Sequence, residues 1–181
     1  MKIIAISGHA QNGKDTTAGF IKKHLEEKGE KVLIVHYADL LKFICTKYFE
    51  WDGKKDERGR HLLQYVGTDI IRTKEPSFWV DFVIKVLDIF GDVWDWVLIP
   101  DTRFPNEVDA LKDAGFTVAH LRVHRGGEWT SPLSEEQQKH PSETALDNEK
   151  PDLWVNNNGT LEDLDNKIAK WVGGLYDGQV C

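Results

Sequence analysis

The chain has 181 residues, 40% of them hydrophobic and 29% charged, enough for one domain with a full core and too little for a second. A formal charge of −7 argues against broad electrostatic binding to nucleic acid or an anionic membrane, so any phosphate has to be held by local clusters of Lys and Arg. Cys45 and Cys181 form no framework pattern, the first apolar run is about five residues, and nothing approaches the ~18 apolar residues of a membrane span. The expectation is a soluble protein of a reducing, cytoplasmic compartment, with no nucleic-acid and no membrane partner.

Lys2-Ile3-Ile4-Ala5-Ile6 reads as a buried strand running straight into Ser7-Gly8-His9-Ala10-Gln11-Asn12-Gly13-Lys14-Asp15-Thr16-Thr17. Ala18, Ile21 and Leu25 then recur at helical spacing. The bare spacing G-x-x-x-x-G-K arises by chance in roughly 8% of chains this long. The strand before it and the helix after it make it a phosphate-binding loop for a nucleoside triphosphate. Gly8 and Gly13 let backbone N–H groups approach phosphate oxygens, and Lys14 reaches the β- and γ-phosphates. The helix start adds free amides and the positive end of its dipole. Asp15 stands where Ser or Thr usually meets Mg²⁺. Either its carboxylate holds the ion through water, or Thr16 supplies the hydroxyl, or Asp15 is a first-turn residue favoured by the helix dipole.

Strand-length apolar runs follow at Val32–Tyr37, Trp96–Asp101, Thr117–Val123 and Leu153–Asn156, separated by helical periodicity. The clearest helix is 78–90, with Trp79, Phe82, Val83, Val86 and Phe90 on one face. A second runs from about Thr160 to Val172, with Leu161, Leu164, Ile168 and Trp171 inward and Thr160 and Asp163 forming a capping box. Strands alternating with helices predict an α/β fold, a parallel sheet covered on both faces, with ligands at the carboxyl ends of its strands. Two segments break the alternation: a long, mostly helical insertion at about 38–91, and a polar stretch at 125–150 suited to a lid or binding loop, or to disorder.

The strand ends carry further candidates. After the third strand, Asp101 is placed to meet hydrated Mg²⁺ or orient Lys14, and Arg103 to neutralise a phosphoryl group; a turn in which Asp caps and Pro105 starts a helix explains the same residues. Asp39, after the second strand, faces the same choice between ligand and helix cap. Inside the insertion, Leu62, Leu63, Val66 and Ile70 form a buried stripe, and Arg60, Gln64, Gly67 and Thr68 lie on adjacent turns with Arg72 beyond. A merely solvated helix face has no use for Gly67-Thr68, since Gly costs about 1 kcal/mol relative to Ala there. Arg122 and Arg125, spaced i, i+3 at the root of the polar stretch, are either solvated surface, as lone arginines usually are, or, opposite a triphosphate loop, a transition-state clamp, the stronger reading. Tyr65, Trp79 and Trp129 are aromatics able to stack on a base, with core packing the stronger reading for Trp79.

Taken together, G-x-x-x-x-G-K-D-T at Gly8–Thr16, A-D-x-x-K at Ala38–Lys42, R-x-x-L-Q-x-x-G-T at Arg60–Thr68 with Arg72, D-x-R-F-P-N-E at Asp101–Glu107, H-P-S-E-T at His140–Thr144 and N-x-G-T at Asn157–Thr160 resemble the phage-type deoxynucleoside monophosphate kinase family of P-loop kinases. The resemblance spans nearly the whole chain, in the family's order. It departs at Thr102, where an apolar residue is expected.

That resemblance implies a P-loop NTPase three-layer sandwich of adenylate-kinase-like fold, a five-stranded parallel sheet with helices on both faces. The core would be 1–37, 92–124 and 151–181, the helical monophosphate-binding insertion 38–91 and the lid 125–150. It implies transfer of the γ-phosphoryl of ATP to a deoxynucleoside monophosphate, with Mg²⁺, by a monomer or homodimer in the cytoplasm, the host's if phage-encoded. Gly8, Asn12, Gly13, Lys14, Asp15, Thr16 and Thr17 would hold ATP phosphates, and Asp15, Thr16 and Asp101 the metal. Asn157, Gly159 and Thr160 would lie near the adenine. Asp39, Lys42, Arg60, Gln64, Gly67, Thr68, Arg72, Asp101, Arg103, Asn106 and Glu107 would surround the acceptor, with Ser142 and Glu143 among the substrate contacts. Lys14, Arg103, Arg122 and Arg125 would carry the catalysis. A phosphomevalonate-type kinase on the same scaffold, and a nucleotide-dependent switch without phosphotransfer, are the competing readings.

Overall fold

The structure is a computed structural model that describes residues 1–126, 130–131 and 133–176; Trp129 and Cys181 lie outside them. Five strands form one sheet: β1 (Lys2–Ser7), β2 (Val32–Ile34), β3 (Trp96–Ile99), β4 (Thr117–His124) and β5 (Leu153–Asn156). Every pairing is parallel and the spatial order is β2-β3-β1-β4-β5. Parallel pairing demands crossover connections, and the helices that supply them cover both faces.

Strand alternation divides the core between those faces. Ile4 and Ile6 of β1 point to the side packed by α1 (Lys14–Glu26) and α8 (Leu161–Tyr176). Ile3 points to the other side, where α2 (Tyr37–Tyr48), α4 (Phe78–Phe90) and α5 (Pro105–Asp113) pack. The chain leaves β1 toward one face and the neighbouring β3 toward the other, so a crevice opens between their carboxyl ends.

Several edges differ from expectation. β2 stops at Ile34, because the Tyr37 and Ala38 amides are drawn into the first turn of α2 by the Asp101 carboxylate. β3 stops at Ile99, before Pro100, which has no N–H to donate. In α4 the buried face is Trp79, Val80, Val83 and Leu87, while Phe82 and Phe90 are exposed: the stripe is rotated from the expected one. In α8 the inward residues are Leu164, Ile168 and Val172, with Trp171 half-buried against the same core, and Leu161 is exposed; the Thr160–Asp163 capping box forms.

The connection from β2 to β3 holds α2, α3 (Glu57–Gln64) and α4, joined by a π-helical stretch, Tyr65–Arg72. The wider turn places Ile71, five residues after Val66, in the small core around Cys45 and Trp51, a place Ile70 was expected to take. Between β4 and β5 the polar stretch carries two short helices, α6 (Glu135–Lys139) and α7 (Pro141–Thr144). Among the described residues, no helix is long and apolar enough to cross a membrane.

Candidate active site

The glycine loop is shaped by what presses on it. Gly8 has φ +143° and a Cβ there would lie 2.3 Å from the Val123 carbonyl oxygen; Gly13 has φ +94° and a Cβ there would lie 2.4 Å from Asn157 Nδ2. A side chain is barred at Gly8 by backbone and strained at Gly13 by its φ and by Asn157. Asn157 Nδ2 donates to the Asn12 carbonyl at 2.9 Å, and Asn12 Nδ2 donates to the Val123 carbonyl at 3.4 Å. Asn157 and Asn12 are therefore braces that fix the loop to the ends of β4 and β5.

Lys14 folds back on this loop, donating from Nζ to the carbonyls of Gly8 (2.7 Å) and His9 (2.9 Å). Burial, and next the Arg103 charge, push its pKa down to about 7, while the Glu143, Asp15 and Asp101 carboxylates act in the opposite sense. The Asp15 side chain is open to solvent and bonds His36 Nε2 at 2.8 Å. That bond lowers the Asp15 pKa and raises that of His36. Thr16 is exposed; Thr17 is fully buried, its Oγ1 without a partner among the described residues.

Facing the loop is a cleft of about 510 Å³, walled by α2, α3, the π-helical stretch, the β3–α5 turn and α7. Lys14 and Asp15 enter it from the loop, and Lys42, Arg60, Gln64 and Thr68 from the β2–β3 connection. Arg72, Asp101, Arg103 and Glu107 line its inner wall, with Ser142 and Glu143 at the α7 end. Most of its cations already have protein partners. Arg72 is sandwiched: Nη2 donates to Glu107 Oε1 (2.6 Å), Nη1 to the Pro76 carbonyl (3.0 Å), and its guanidinium lies 4.0 Å above the Phe104 ring. Glu107, 1% exposed, also accepts the Arg103 and Phe104 amides at 2.6 and 3.0 Å, and its burial pushes its pKa up. Arg103 Nη1 donates to Glu143 Oε1 at 2.5 Å. Lys42 pairs with Asp39 at 2.9 Å, and Arg60 Nε donates to the Lys55 carbonyl at 2.8 Å.

Asp101 was expected to face a metal or Lys14, or to cap a helix. It lines the cleft with Lys14, whose pKa its charge raises, and both its oxygens accept α2 amides, Tyr37 N–H at 3.0 Å and Ala38 N–H at 2.9 Å, while burial raises its own pKa. It is a helix cap contributed from a different strand end. Gly67 serves packing as well as the cleft: its carbonyl accepts the Trp79 indole N–H at 3.0 Å, and a Cβ there would lie 2.7 Å from Leu41 Cδ2. Trp79 is thus buried and bonded in the wall, whereas Tyr65 is exposed and outside the cleft.

Other expected site residues do not reach the cleft. Arg122 is buried and donates to the Leu146 carbonyl and Asp147 carboxylate, tying β4 to the stretch after α7; Arg125 is exposed. The α7–β5 connection offers Arg122 the Leu146 carbonyl and the Asp147 carboxylate, and neither arginine lines the cleft, so the clamp expected of this pair is not assembled here. Gly159 and Thr160 form the cap of α8, and Asn106 Nδ2 donates to the Pro76 carbonyl at 3.1 Å. Sequence reasoning missed Tyr37, whose hydroxyl is buried in the cleft wall without a partner among the described residues. It directly precedes the A-D-x-x-K segment at a strand end, which was the signal available. His36, Lys55 and Leu133 also line the cleft unannounced.

A glycine loop at the β1–α1 turn of a 2-3-1-4-5 parallel sheet defines the class: a P-loop kinase fold. Solved kinases share it, among them the Mycobacterium tuberculosis APS kinase CysC in complex with AMPPNP and APS, at TM-score 0.54 and 11% identity over 95% of this chain and 97% of that one. The shikimate kinase of Aquifex aeolicus matches at TM-score 0.52 and 13% identity over 96% of this chain and 98% of that one. At residues 28–168 the sequence matches the family model for deoxynucleotide monophosphate kinase, and the chain belongs to that family. The deoxynucleotide monophosphate kinase of Enterobacteria phage T4 is 34% identical over 111 residues, 60% of this chain. The match takes in 43% of the phage protein, so the chain aligns with less than half the length of that relative.

Proposed function

We propose that the protein transfers the γ-phosphoryl group of ATP to a deoxynucleoside 5′-monophosphate, giving ADP and the deoxynucleoside diphosphate. The observation that carries this reading is that one cleft is bounded on one side by the glycine loop with Lys14 and on the other by Arg60, Arg72 and Arg103. Two anions then meet in a single enclosure, which a switch protein would not need. Family membership and the fold support the same reading.

In this mechanism the loop amides and Lys14 hold the donor's β- and γ-phosphates. Lys14 leaves the Gly8 and His9 carbonyls to do so. Arg103, Arg72 and the Tyr37 hydroxyl orient the acceptor phosphate. An acceptor oxygen, already ionised at neutral pH, forms the new bond to the γ-phosphorus as the bond to the β–γ bridging oxygen breaks, and the negative charge leaves with ADP. No strong general base is required; alignment and charge neutralisation supply the acceleration. Asp15 fits a hydrated Mg²⁺, because its carboxylate is open to solvent beside the loop. Asp101 lines the same cleft and gives one lone pair of each oxygen to an α2 amide, so its remaining acceptor sites would meet the ion only through water. When bound, the ion neutralises phosphate charge.

A coupled assay for ADP across the nucleoside and deoxynucleoside monophosphates, with phosphomevalonate included, tests the proposal. ADP release that depends on a deoxynucleoside monophosphate is expected. Release only with phosphomevalonate, or release indifferent to any acceptor, overturns it.

A further inference from the structure

Glu143 joins the two sides of the cleft. Its Oε2 accepts the Ala10 amide of the glycine loop at 3.0 Å, and its Oε1 accepts from Arg103 Nη1 at 2.5 Å. The side chain is 6% exposed, so these bonds are shielded from water. It is delivered by α7, whose Ser142 carbonyl takes a second bond from the same Arg103 Nη1 at 3.2 Å. Turning α7 in this direction is His140, which accepts the Ser142 N–H at 3.2 Å and bonds the Ser142 hydroxyl at 2.9 Å.

Two consequences follow from which atoms are used. Both bonds to α7 fall on Nη1, which leaves the parallel N–H groups of Nε and Nη2 to grip two oxygens of one phosphate. The carboxylate also stands between two cations, Lys14 and Arg103, that repel each other; burial and Arg103 depress the Lys14 pKa, and Glu143 is the first of the groups that oppose this. Without Glu143, Arg103 keeps the Ser142 carbonyl but loses the bond that ties its position to the Ala10 amide of the loop.

We propose that Glu143 is a positioning residue for phosphoryl transfer: by dividing its two oxygens between the Ala10 amide and the Arg103 guanidinium, it sets the spacing of the donor and acceptor phosphates. The proposal rests on the phosphoryl-transfer reading above. A glutamine at this place offers one acceptor oxygen for two donors, so its NH₂ must confront either Ala10 N–H or Arg103 whichever way it is turned. Aspartate keeps the charge and is one methylene too short to span both.

The test compares E143Q, E143D, R103A and the E143Q/R103A double variant by kcat, KM for the acceptor, ADP affinity from calorimetry and thermal midpoint. E143Q is expected to lower kcat by at least about 30-fold while the ADP Kd stays within about threefold, since misalignment costs turnover before it costs binding. The double variant should fall no more than about threefold below R103A alone, because the two residues act as one unit. E143D, intermediate in kcat, carries the same comparison if E143Q does not fold. Unchanged kcat in E143Q, losses that multiply with R103A, or an ADP Kd that rises as much as kcat/KM falls would each overturn the proposal. A wild-type protein without acceptor-dependent ADP release removes the phosphoryl-transfer reading and this proposal with it. An active wild type with an unaffected E143Q removes this proposal alone.

Discussion

The two sides of the cleft are built from different materials. On the loop side the donors are backbone amides, and their arrangement comes from glycines pressed against the Val123 carbonyl and Asn157. On the other side the donors are side-chain cations, and each main one is held by a carboxylate or carbonyl from elsewhere: Arg72 by Glu107 and Pro76, Arg103 by Glu143 and Ser142. A backbone cradle keeps its shape without any ligand. A cationic wall stays open only if buried carboxylates hold it, and those carboxylates become as consequential as the arginines.

Removing one such carboxylate is the strongest way to break that contrast. Glu107→Ala strands the buried Arg72 guanidinium and frees the Arg103 and Phe104 amides at the start of α5. A loss of about 3–5 kcal/mol of folding stability in urea titration is expected, as for a buried pair that loses one partner. Glu107→Gln, which keeps acceptor capacity, should lose less. A Glu107→Ala protein within about 1 kcal/mol of the parent would show that Glu107 does not hold the wall.

On the loop side, Lys14→Ala should cost turnover and leave the fold alone. Loss of one charge-stabilising donor predicts a fall in kcat of roughly 10²–10³-fold, with the thermal midpoint nearly unchanged because the lysine's burial is itself unfavourable. Normal turnover in the folded variant would remove Lys14 from the chemistry. Gly13→Ala is smaller again: a Cβ 2.4 Å from Asn157 Nδ2, at φ +94°, should cost about 1–3 kcal/mol of stability and weaken ADP binding, measured together by thermal shift with and without ADP. Asn157→Ala should relieve the clash but not the φ penalty, so the double variant recovers only part of the loss.

The same contrast explains what was legible in the sequence. The loop was readable because strand, glycines, lysine and helix follow one another within seventeen residues, and each is dictated by local geometry. So were the alternation of strands and helices and the capping box at Thr160. The wall was only half readable. Arg72 and Arg103 were found as residue types, but the partners that aim them lie 35 and 40 positions away, beyond the reach of periodicity. Arg122 looked equivalent to Arg103 and is spent on Asp147, a choice made by packing alone. Ile70 was chosen over Ile71 because a 3.6-residue period was applied to a stretch that winds as a π-helix. Asp101 was read as a ligand since its position after β3 suits one, and only the fold shows the Tyr37 and Ala38 amides arriving beside it.

The finest probe of the comparison is a proton. In the empty loop Lys14 has a pKa near 7 against an ordinary 10.5, burial being the main cause. A phosphate bound beside it favours the charged form and raises that pKa. At pH 8 the empty protein therefore holds mostly neutral Lys14 and the nucleotide complex holds the ammonium, so binding takes up close to one proton, about 0.9 for a pKa of 7. The sign fixes the pH trend: affinity for ADP weakens as pH rises above 7, and uptake fades below pH 6, where Lys14 is charged in both states. The folding linkage has the opposite sign, since folding releases a proton where binding takes one up: the lowered pKa costs stability fully below pH 7, and that cost disappears as pH climbs toward 10.5. Calorimetry of ADP binding at pH 8 in two buffers of different ionisation enthalpy reads the uptake directly. Lys14→Met should abolish it, whereas variants of the opposite wall that keep Glu143 and Arg103, such as Arg60→Ala, should leave it intact. Identical heats in both buffers for the wild-type protein would mean that Lys14 does not change its charge on binding, and that the two walls differ less in their electrostatics than their construction implies.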